Sequence, residues 1–336
     1  MKVDRCLIRV HRLLHILAAT HRADAPRESA DDRRHSLLTL AHTVESVPAP
    51  APEPLHGVIL APEAGIPFRV YAPAGAAGRV LPALVFFHGG GWVAGGFDTH
   101  EGLSRRLAAA ADCRVIAVDY RLAPEHPFPA ALTDSLAATQ WVLENAAVLS
   151  CDPARVAIGG DSAGGALAAS VCQALHAAGG PQPALQVLIC PILDLAGESA
   201  SRRAFAEGYF VSRGTIERDI EDYCPPDVDR RDPRVSPLQA ASFDGLPPAV
   251  IHAAEFDPFR DEAAAYAARL RQAGVRVREV RHPGMIHYFY AMGRAIPYAL
   301  TAAEAIGADM RALLGESQKR MSPAAMAAKA TASRRS

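Results

Sequence analysis

The stretch Gly160-Asp161-Ser162-Ala163-Gly164 sits between two runs of different character. Before it, Val156 to Ile158 reads as a buried strand; after it, the small residues from Ala163 read as a helix. A sharp strand-to-helix turn would force the serine into a strained backbone and lift its hydroxyl into the open. Its neighbours must then be small so that strand and helix do not collide. Backbone N–H groups at the helix N-terminus would face developing negative charge. An incidental serine in a Gly-rich turn is the bland alternative, so the rest of the chain has to decide.

A second motif, His88-Gly89-Gly90-Gly91-Trp92, follows the apolar run Ala83 to Phe87. Consecutive glycines let backbone approach a ligand closely, with N–H groups converging on one point. That is what a tetrahedral oxyanion needs, and the donors expected are Gly89, Gly90 and Ala163. A merely flexible turn would have no use for the flanking His and Trp. Serine is a weak nucleophile at neutral pH, so a base must lie within reach and an acid must orient that base. After the strand expected over Pro248 to Ala253 comes Glu255-Phe256-Asp257-Pro258-Phe259-Arg260-Asp261-Glu262. Asp261 and Glu262 stand where a helix begins, and capping accounts for them. Asp257 lies in the loop and is the acid expected, with Glu255 its rival. For the base, His282 is tied into a pre-proline segment, whereas His287 follows the Gly284 turn and can face the serine.

The elements that must position these groups follow from periodicity. Gly57–Leu60 and Pro67–Tyr71 read as an antiparallel pair. Further strands are expected at 83–87, 114–119, 156–158, 185–190, 248–253 and 275–280. Helices are expected at 101–111, 130–147, 163–178, 261–272 and 295–314. Strands alternating with helices imply a mostly parallel sheet covered on both faces. Ahead of this lie helix candidates at 6–20 and 35–44, then a stiff extended linker, Val47-Pro48-Ala49-Pro50-Ala51-Pro52. Residues 197–234 break the alternation and should insert above the carboxyl edge of the sheet. The tail 317–336 is small, polar and basic without periodicity, and is expected to be disordered.

A chain of 336 residues with 50% hydrophobic and 21% charged residues can bury one large α/β core. Its net charge of −1 gives no electrostatic case for nucleic acid or acidic membrane surfaces. Six scattered cysteines with no C-x-x-C pair read as thiols of a reducing compartment, not as a disulfide framework or zinc site. The apolar run Leu13 to Ala19 is interrupted by His15, flanked by Arg9, His11 and Arg12, and too short to span a bilayer. A cytoplasmic enzyme without metal or cofactor is therefore the expectation, and a homodimer stays open.

The chain resembles bacterial esterases of the hormone-sensitive-lipase-like family within the α/β-hydrolases. The resemblance rests on His88-Gly89-Gly90-Gly91-Trp92, Asp119-Tyr120-Arg121-Leu122-Ala123-Pro124-Glu125, Gly160-Asp161-Ser162-Ala163-Gly164-Gly165, Ser236-Pro237-Leu238, Asp257-Pro258-Phe259-Arg260-Asp261-Glu262 and Gly284-x-x-His287. The order Ser162, Asp257, His287 is that of an α/β-hydrolase. The family implies a carboxylesterase acting on short- to medium-chain acyl esters through an acyl-enzyme. His88 would brace the glycine loop and is not the base. A cap would be built from residues 1–48 and the insertion 197–234, over a catalytic domain spanning 49–316. Trp92, Asp161 and Tyr288 are expected around the substrate pocket. Tyr288 departs from the glycine usual after the catalytic histidine. Hydrolysis of an N-acetyl amide or lactone uses the same groups and stays open. A ligand-binding receptor on this fold, as the plant gibberellin receptors are, is opposed by the intact Ser162, Asp257 and His287.

Overall fold

The computed structural model describes residues 10, 28–45 and 52–321. Eight strands form one sheet in the order β1-β2-β4-β3-β5-β6-β7-β8. They are β1 (Leu55–Leu60), β2 (Gly65–Tyr71), β3 (Leu81–Phe87), β4 (Arg114–Val118), β5 (Cys151–Asp161), β6 (Leu185–Ile189), β7 (Ala249–Phe256) and β8 (Val277–Ile286). β1 pairs antiparallel with β2, and β2 with β4; every other pairing is parallel. The central strands are apolar almost throughout because helices cover both faces. The helices are α1 (Ala30–Val44), α2 (Phe97–Ala111), α3 (Ala130–Asn145), α4 (Ala163–Ala177), α5 (Ala200–Ala204), α6 (Arg213–Tyr223), α7 (Arg260–Gln272) and α8 (Tyr298–Met321).

Every strand and helix expected inside the described residues is present, and the differences lie at the ends. α1 begins at Ala30, not residue 35, because Ser29 caps it. The Ser29 hydroxyl accepts from Asp32 N–H, and Asp32 accepts in return from Ser29 N–H at 3.0 Å. α2 starts at Phe97, directly after Gly95 and Gly96, whose φ values of 98° and 151° no helix could continue. β8 runs on to Ile286, since a register shift between Ala254 and Phe256 keeps β7 and β8 paired up to the functional loops. Of the tail expected at 317–336, residues 317–321 are helical and continue α8. Apart from Val10, the helix candidate at 6–20 lies outside the described residues, as do 47–51 of the linker and the remainder of the tail.

The insertion between β6 and β7 carries α5 and α6, which pack at the carboxyl ends of the strands. α1 reaches it through Arg33, whose guanidinium forks between the carboxylates of Asp219 and Asp222 on α6. Burial pushes the Asp219 carboxyl up to about 7, even beside Arg33. Arg34 donates from Nε to the Val93 carbonyl at 2.9 Å and pairs with Glu125, so α1 also grips the loop after β3. No helix among the described residues is long and apolar enough to cross a membrane.

Candidate active site

Ser162 stands at the joint between β5 and α4 with φ 52° and ψ −117°, a conformation rare for an L side chain. The turn is fixed from both sides. Ser162 N–H donates to the Ile189 carbonyl at 2.9 Å, and its own carbonyl accepts from Ala166 N–H and Ile192 N–H, each at 3.2 Å. The glycines make room. A Cβ on Gly160 would meet the Gly164 carbonyl carbon at 2.4 Å, and one on Gly164 would meet the Phe87 carbonyl oxygen at 1.9 Å. The obstacle at Gly164 is backbone and cannot rotate away. Gly164→Ala should therefore cost about 3 kcal/mol, read as a lower denaturation midpoint, and any folded remainder should have lost activity. A variant as stable and active as the parent would contradict this account of the elbow.

The three residues singled out for acyl transfer meet at the carboxyl edge. His287 Nε2 lies 3.0 Å from Ser162 Oγ, and His287 Nδ1 lies 2.8 Å from Asp257 Oδ2. Asp257 is fully buried, and its other oxygen accepts from Phe259 N–H at 2.8 Å. The adjacent strands β7 and β8 deliver the acid and the base, and β5 delivers the serine. This arrangement can move a proton from Ser162 to Nε2 while the carboxylate holds the Nδ1 proton in place. The rivals are engaged elsewhere. Glu255 accepts from Gly284 N–H at 2.7 Å, and His282 pairs with His252 at 2.9 Å and with the Tyr298 hydroxyl at 3.1 Å. Asp261 and Glu262 do more than favour the start of α7. Asp261 accepts from Ser201 N–H at 2.8 Å, and Glu262 accepts from Leu193 and Asp194 N–H and from Arg202, tying the insertion to the core.

The glycine loop departs from expectation at one donor. Gly89 N–H points at Asp161 Oδ1, 3.0 Å away, so that amide is taken and cannot also serve an oxyanion. Gly90 and Gly91, at φ 118° and 63°, have N–H groups with no partner among the described residues. Ala163, as the first residue of α4, has no intrahelical partner for its own. A side chain at Gly91 would meet Asp219 Oδ2 at 2.0 Å, so only glycine fits beneath α6. His88 holds the loop from behind. It stacks on Tyr120 with centroids 4.3 Å apart, and its Nδ1 lies 2.8 Å from the Gly89 carbonyl. Burial, with His100 adding to it, lowers its pKa to about 4, so it is neutral and donates from Nδ1.

None of the three residues expected around the substrate pocket lines an open surface. Asp161 is fully buried, and its second oxygen receives the Tyr290 hydroxyl at 3.0 Å and faces His100 at 3.3 Å. Burial works against its charge, but His100 and the Tyr290 hydroxyl hold it below the usual carboxylate range. Trp92 is 1% exposed because Tyr223 of α6 stacks on it at 4.3 Å. Tyr288 adopts φ 65°, the region where glycine would be unstrained, and turns inward. Its hydroxyl donates to the Thr99 carbonyl at 3.2 Å, and its ring stacks on Phe210. A cleft of about 740 Å³ does open beside the insertion, lined by Leu195, Arg202, Ile216, Cys224 and Arg230 among others, but none of Ser162, Asp257 and His287 lines it.

Sequence reading passed over three participants. Glu45, just after α1, is buried and pairs with Arg106 of α2 at 3.1 Å, beside His100. His100 meets Asp161 through Nε2 at 3.3 Å and the Thr99 hydroxyl through Nδ1 at 2.7 Å, and its position in an amphipathic helix gave no sign of this role. Cys190 follows β6 at φ 45°, 1% exposed, with its sulfur against Asp257 and His287. Burial first, and the Asp257 carboxylate second, push its thiol well up. The strand order was the missing signal: β6 lies between the serine's strand and the acid's strand.

Comparison with known proteins points to the same fold. The α/β-hydrolase fold family profile matches residues 84–291. Carboxylic ester hydrolase LipN of Mycobacterium tuberculosis is 44% identical over 247 residues, which cover 72% of this chain and 62% of LipN. The match thus spans less than two thirds of that relative. Carboxylesterase NlhH of the same organism is 42% identical over 254 residues, covering 74% of this chain and 77% of NlhH. Among solved structures, ester-hydrolase EH1AB1 from the metagenome of Lake Arreo, complexed with a bipyridine phosphonate derivative, superposes with a TM-score of 0.88. It is 44% identical, and the match covers 91% of this chain and 98% of that one. On the strand order, the strained serine turn and these likenesses, the chain belongs to the α/β-hydrolase fold family, within its hormone-sensitive-lipase-like branch.

Proposed function

We propose that the chain is a serine carboxylesterase acting on short- to medium-chain acyl esters. The single observation that carries the reading is the unbroken relay from Ser162 Oγ through both nitrogens of His287 to Asp257, at 3.0 and 2.8 Å. Ser162 attacks the ester carbonyl as His287 Nε2 takes its proton. Asp257 fixes the tautomer and supports the imidazolium that forms. The N–H groups of Gly90, Gly91 and Ala163 receive the oxyanion; Gly91 replaces Gly89 in this set. Collapse of the tetrahedral intermediate expels the alcohol, which takes the proton from His287. Water then repeats the attack with His287 again as base, releasing the acid and restoring Ser162.

We infer further that α1 and the insertion at 197–234 act together as the cap. The Arg33 fork onto Asp219 and Asp222, the Arg34 contact with Val93 and the stack of Tyr223 on Trp92 support this division. A cytoplasmic location is supported by the five described cysteines, all of them free and buried.

A panel of 4-nitrophenyl esters from acetyl to dodecanoyl, with matched amides and lactones, tests the reading. Each methylene that finds room contributes about 0.8 kcal/mol, roughly fourfold in kcat/KM. The specificity constant should rise from acetyl toward butyryl or hexanoyl and fall steeply by decanoyl, once the pocket is full. Esters should be preferred to amides and lactones throughout. Arg33→Ala strands two carboxylates, which should cost about 3 kcal/mol and flatten the chain-length profile. A maximum at dodecanoyl or beyond, or preference for the amides, would overturn the proposal.

A further inference from the structure

Behind the triad lies a third donor that ester hydrolysis leaves unused. The thiol sulfur of Cys190, a carboxylate oxygen of Asp257 and a ring nitrogen of His287 all lie within 4.8 Å of one another. The three side chains are buried at 1, 0 and 4% exposure. The placement is built into the backbone. Cys190 follows β6 in the left-handed region at φ 45°, where an L side chain is strained, and its N–H donates to the His252 carbonyl of β7 at 2.7 Å. That pairing keeps the thiol on the side of β7 from which Asp257 emerges.

We propose that Cys190, Asp257 and His287 form an inhibitory site for a thiophilic divalent cation, with zinc the ion their donors suit best. The inference rests on the catalytic reading of Asp257 and His287. Thiolate sulfur, imidazole nitrogen and carboxylate oxygen are the mixed set zinc takes, at about 2.3, 2.0 and 2.1 Å. Tetrahedral donors at those lengths stand about 3.5 Å apart. The three donors already lie within 4.8 Å of one another, and the 2.8 Å contact between Nδ1 and Oδ2 must open to reach the tetrahedral spacing. Charge favours the change: a dication with one thiolate and one carboxylate is neutral overall, which suits donors this deeply buried.

The consequence for catalysis follows from proton positions. Cys190 loses its S–H proton to solvent as the sulfur–metal bond forms. As Nδ1 binds the metal its proton is given up to solvent and Nε2 takes one from solvent in exchange, so the neutral imidazole carries its proton on Nε2. That nitrogen, 3.0 Å from Ser162 Oγ, then donates toward the hydroxyl and can no longer accept its proton. The cation also draws Asp257 away from its supporting role. Metal binding and ester hydrolysis exclude each other because they use the same two side chains, not because the ion blocks substrate.

Two measurements test this on the full chain. In the first, wild-type, Cys190→Ser and Cys190→Ala proteins are titrated with zinc chloride, and each rate is scaled to that protein's own metal-free rate. The wild type should lose activity, recover it on adding EDTA, and need at least tenfold less zinc than either variant for the same fractional loss. In the second, cobalt chloride is added to Ser162→Ala, which reads the site without any turnover. A thiolate-to-cobalt charge-transfer band in the near ultraviolet should appear there and be missing when Cys190→Ser is combined with Ser162→Ala. Circular dichroism checks that each variant is folded. Equal zinc sensitivity across the three proteins, no inhibition of the wild type, or a thiolate band that survives the Cys190 substitution would each overturn the proposal. Failure of the esterase reading would show separately, as activity retained by Ser162→Ala, while the cobalt spectrum still reports on the cluster.

Discussion

Ser162→Ala should lower kcat for a 4-nitrophenyl ester by about a millionfold, the scale lost when a triad nucleophile is removed. The loss is that large because the other groups act only through the serine. Among the described residues His287 bonds no hydroxyl but that of Ser162, and on the proposed mechanism Gly90, Gly91 and Ala163 await an oxyanion that no longer forms by the covalent route. KM should change little, since the hydroxyl contributes almost nothing to ground-state binding. Stability should hold as well, because the hydroxyl makes one hydrogen bond, to His287 at 3.0 Å, and alanine keeps the backbone N–H and carbonyl bonds that fix the turn. A fluorophosphonate should add one equivalent of mass to the parent and none to the variant. Labelling that survives the substitution, or a loss below about a hundredfold, would place the nucleophile elsewhere.

Ser162, Asp257 and His287 could be singled out together from sequence because each stands at the end of a strand with a strong local signature. Val156 to Ile158 followed by Gly-x-Ser-x-Gly leaves few backbone paths, and chain order then restricts where acid and base can fall. What escaped reading depends on which way a group points once strands are side by side. Three consecutive glycines offer three N–H groups, and nothing local says that the first will be claimed by Asp161. Nor does the sequence say which way Asp161, next to the serine, will face. In the fold it faces back under the elbow, toward His100 and Tyr290. The orientation of Trp92 and Tyr288 is equally out of reach of local sequence. Aromatic side chains beside a glycine loop can turn toward the ligand or into the core, and Tyr223 and Phe210 supply stacking partners that draw them inward. Cys190 could not be found from spacing at all. Its meaning arises only when β6 is set between β5 and β7, and when a left-handed φ aims the thiol. By contrast, the start of α1 was legible in Ser29-x-x-Asp32, a reciprocal cap that periodicity alone passes over.

Asp257→Asn should reduce turnover by about ten thousandfold, and the geometry says why so small a change matters. Asp257 Oδ1 is held by Phe259 N–H at 2.8 Å, so the asparagine oxygen would keep that bond and present its NH₂ group to His287. Two donors cannot share one contact, so His287 must expose a bare Nδ1 and carry its proton on Nε2. The ring then meets Ser162 as a donor, and the base is lost while every atom stays near its place. The neighbouring carboxylates supply the contrast. Glu255→Gln keeps an oxygen that can accept from Gly284 N–H, so it should cost about 1 kcal/mol in stability and leave kcat nearly intact. Asp261→Asn weakens the bond to Ser201 N–H and the favourable charge at the start of α7, again about 1 kcal/mol. Measuring kcat and denaturation midpoints for all three separates a chemical role from a structural one. A collapse of turnover in Glu255→Gln beside a tolerant Asp257→Asn would reverse the assignment of the acid, and with it the orientation of His287 on which the mechanism depends.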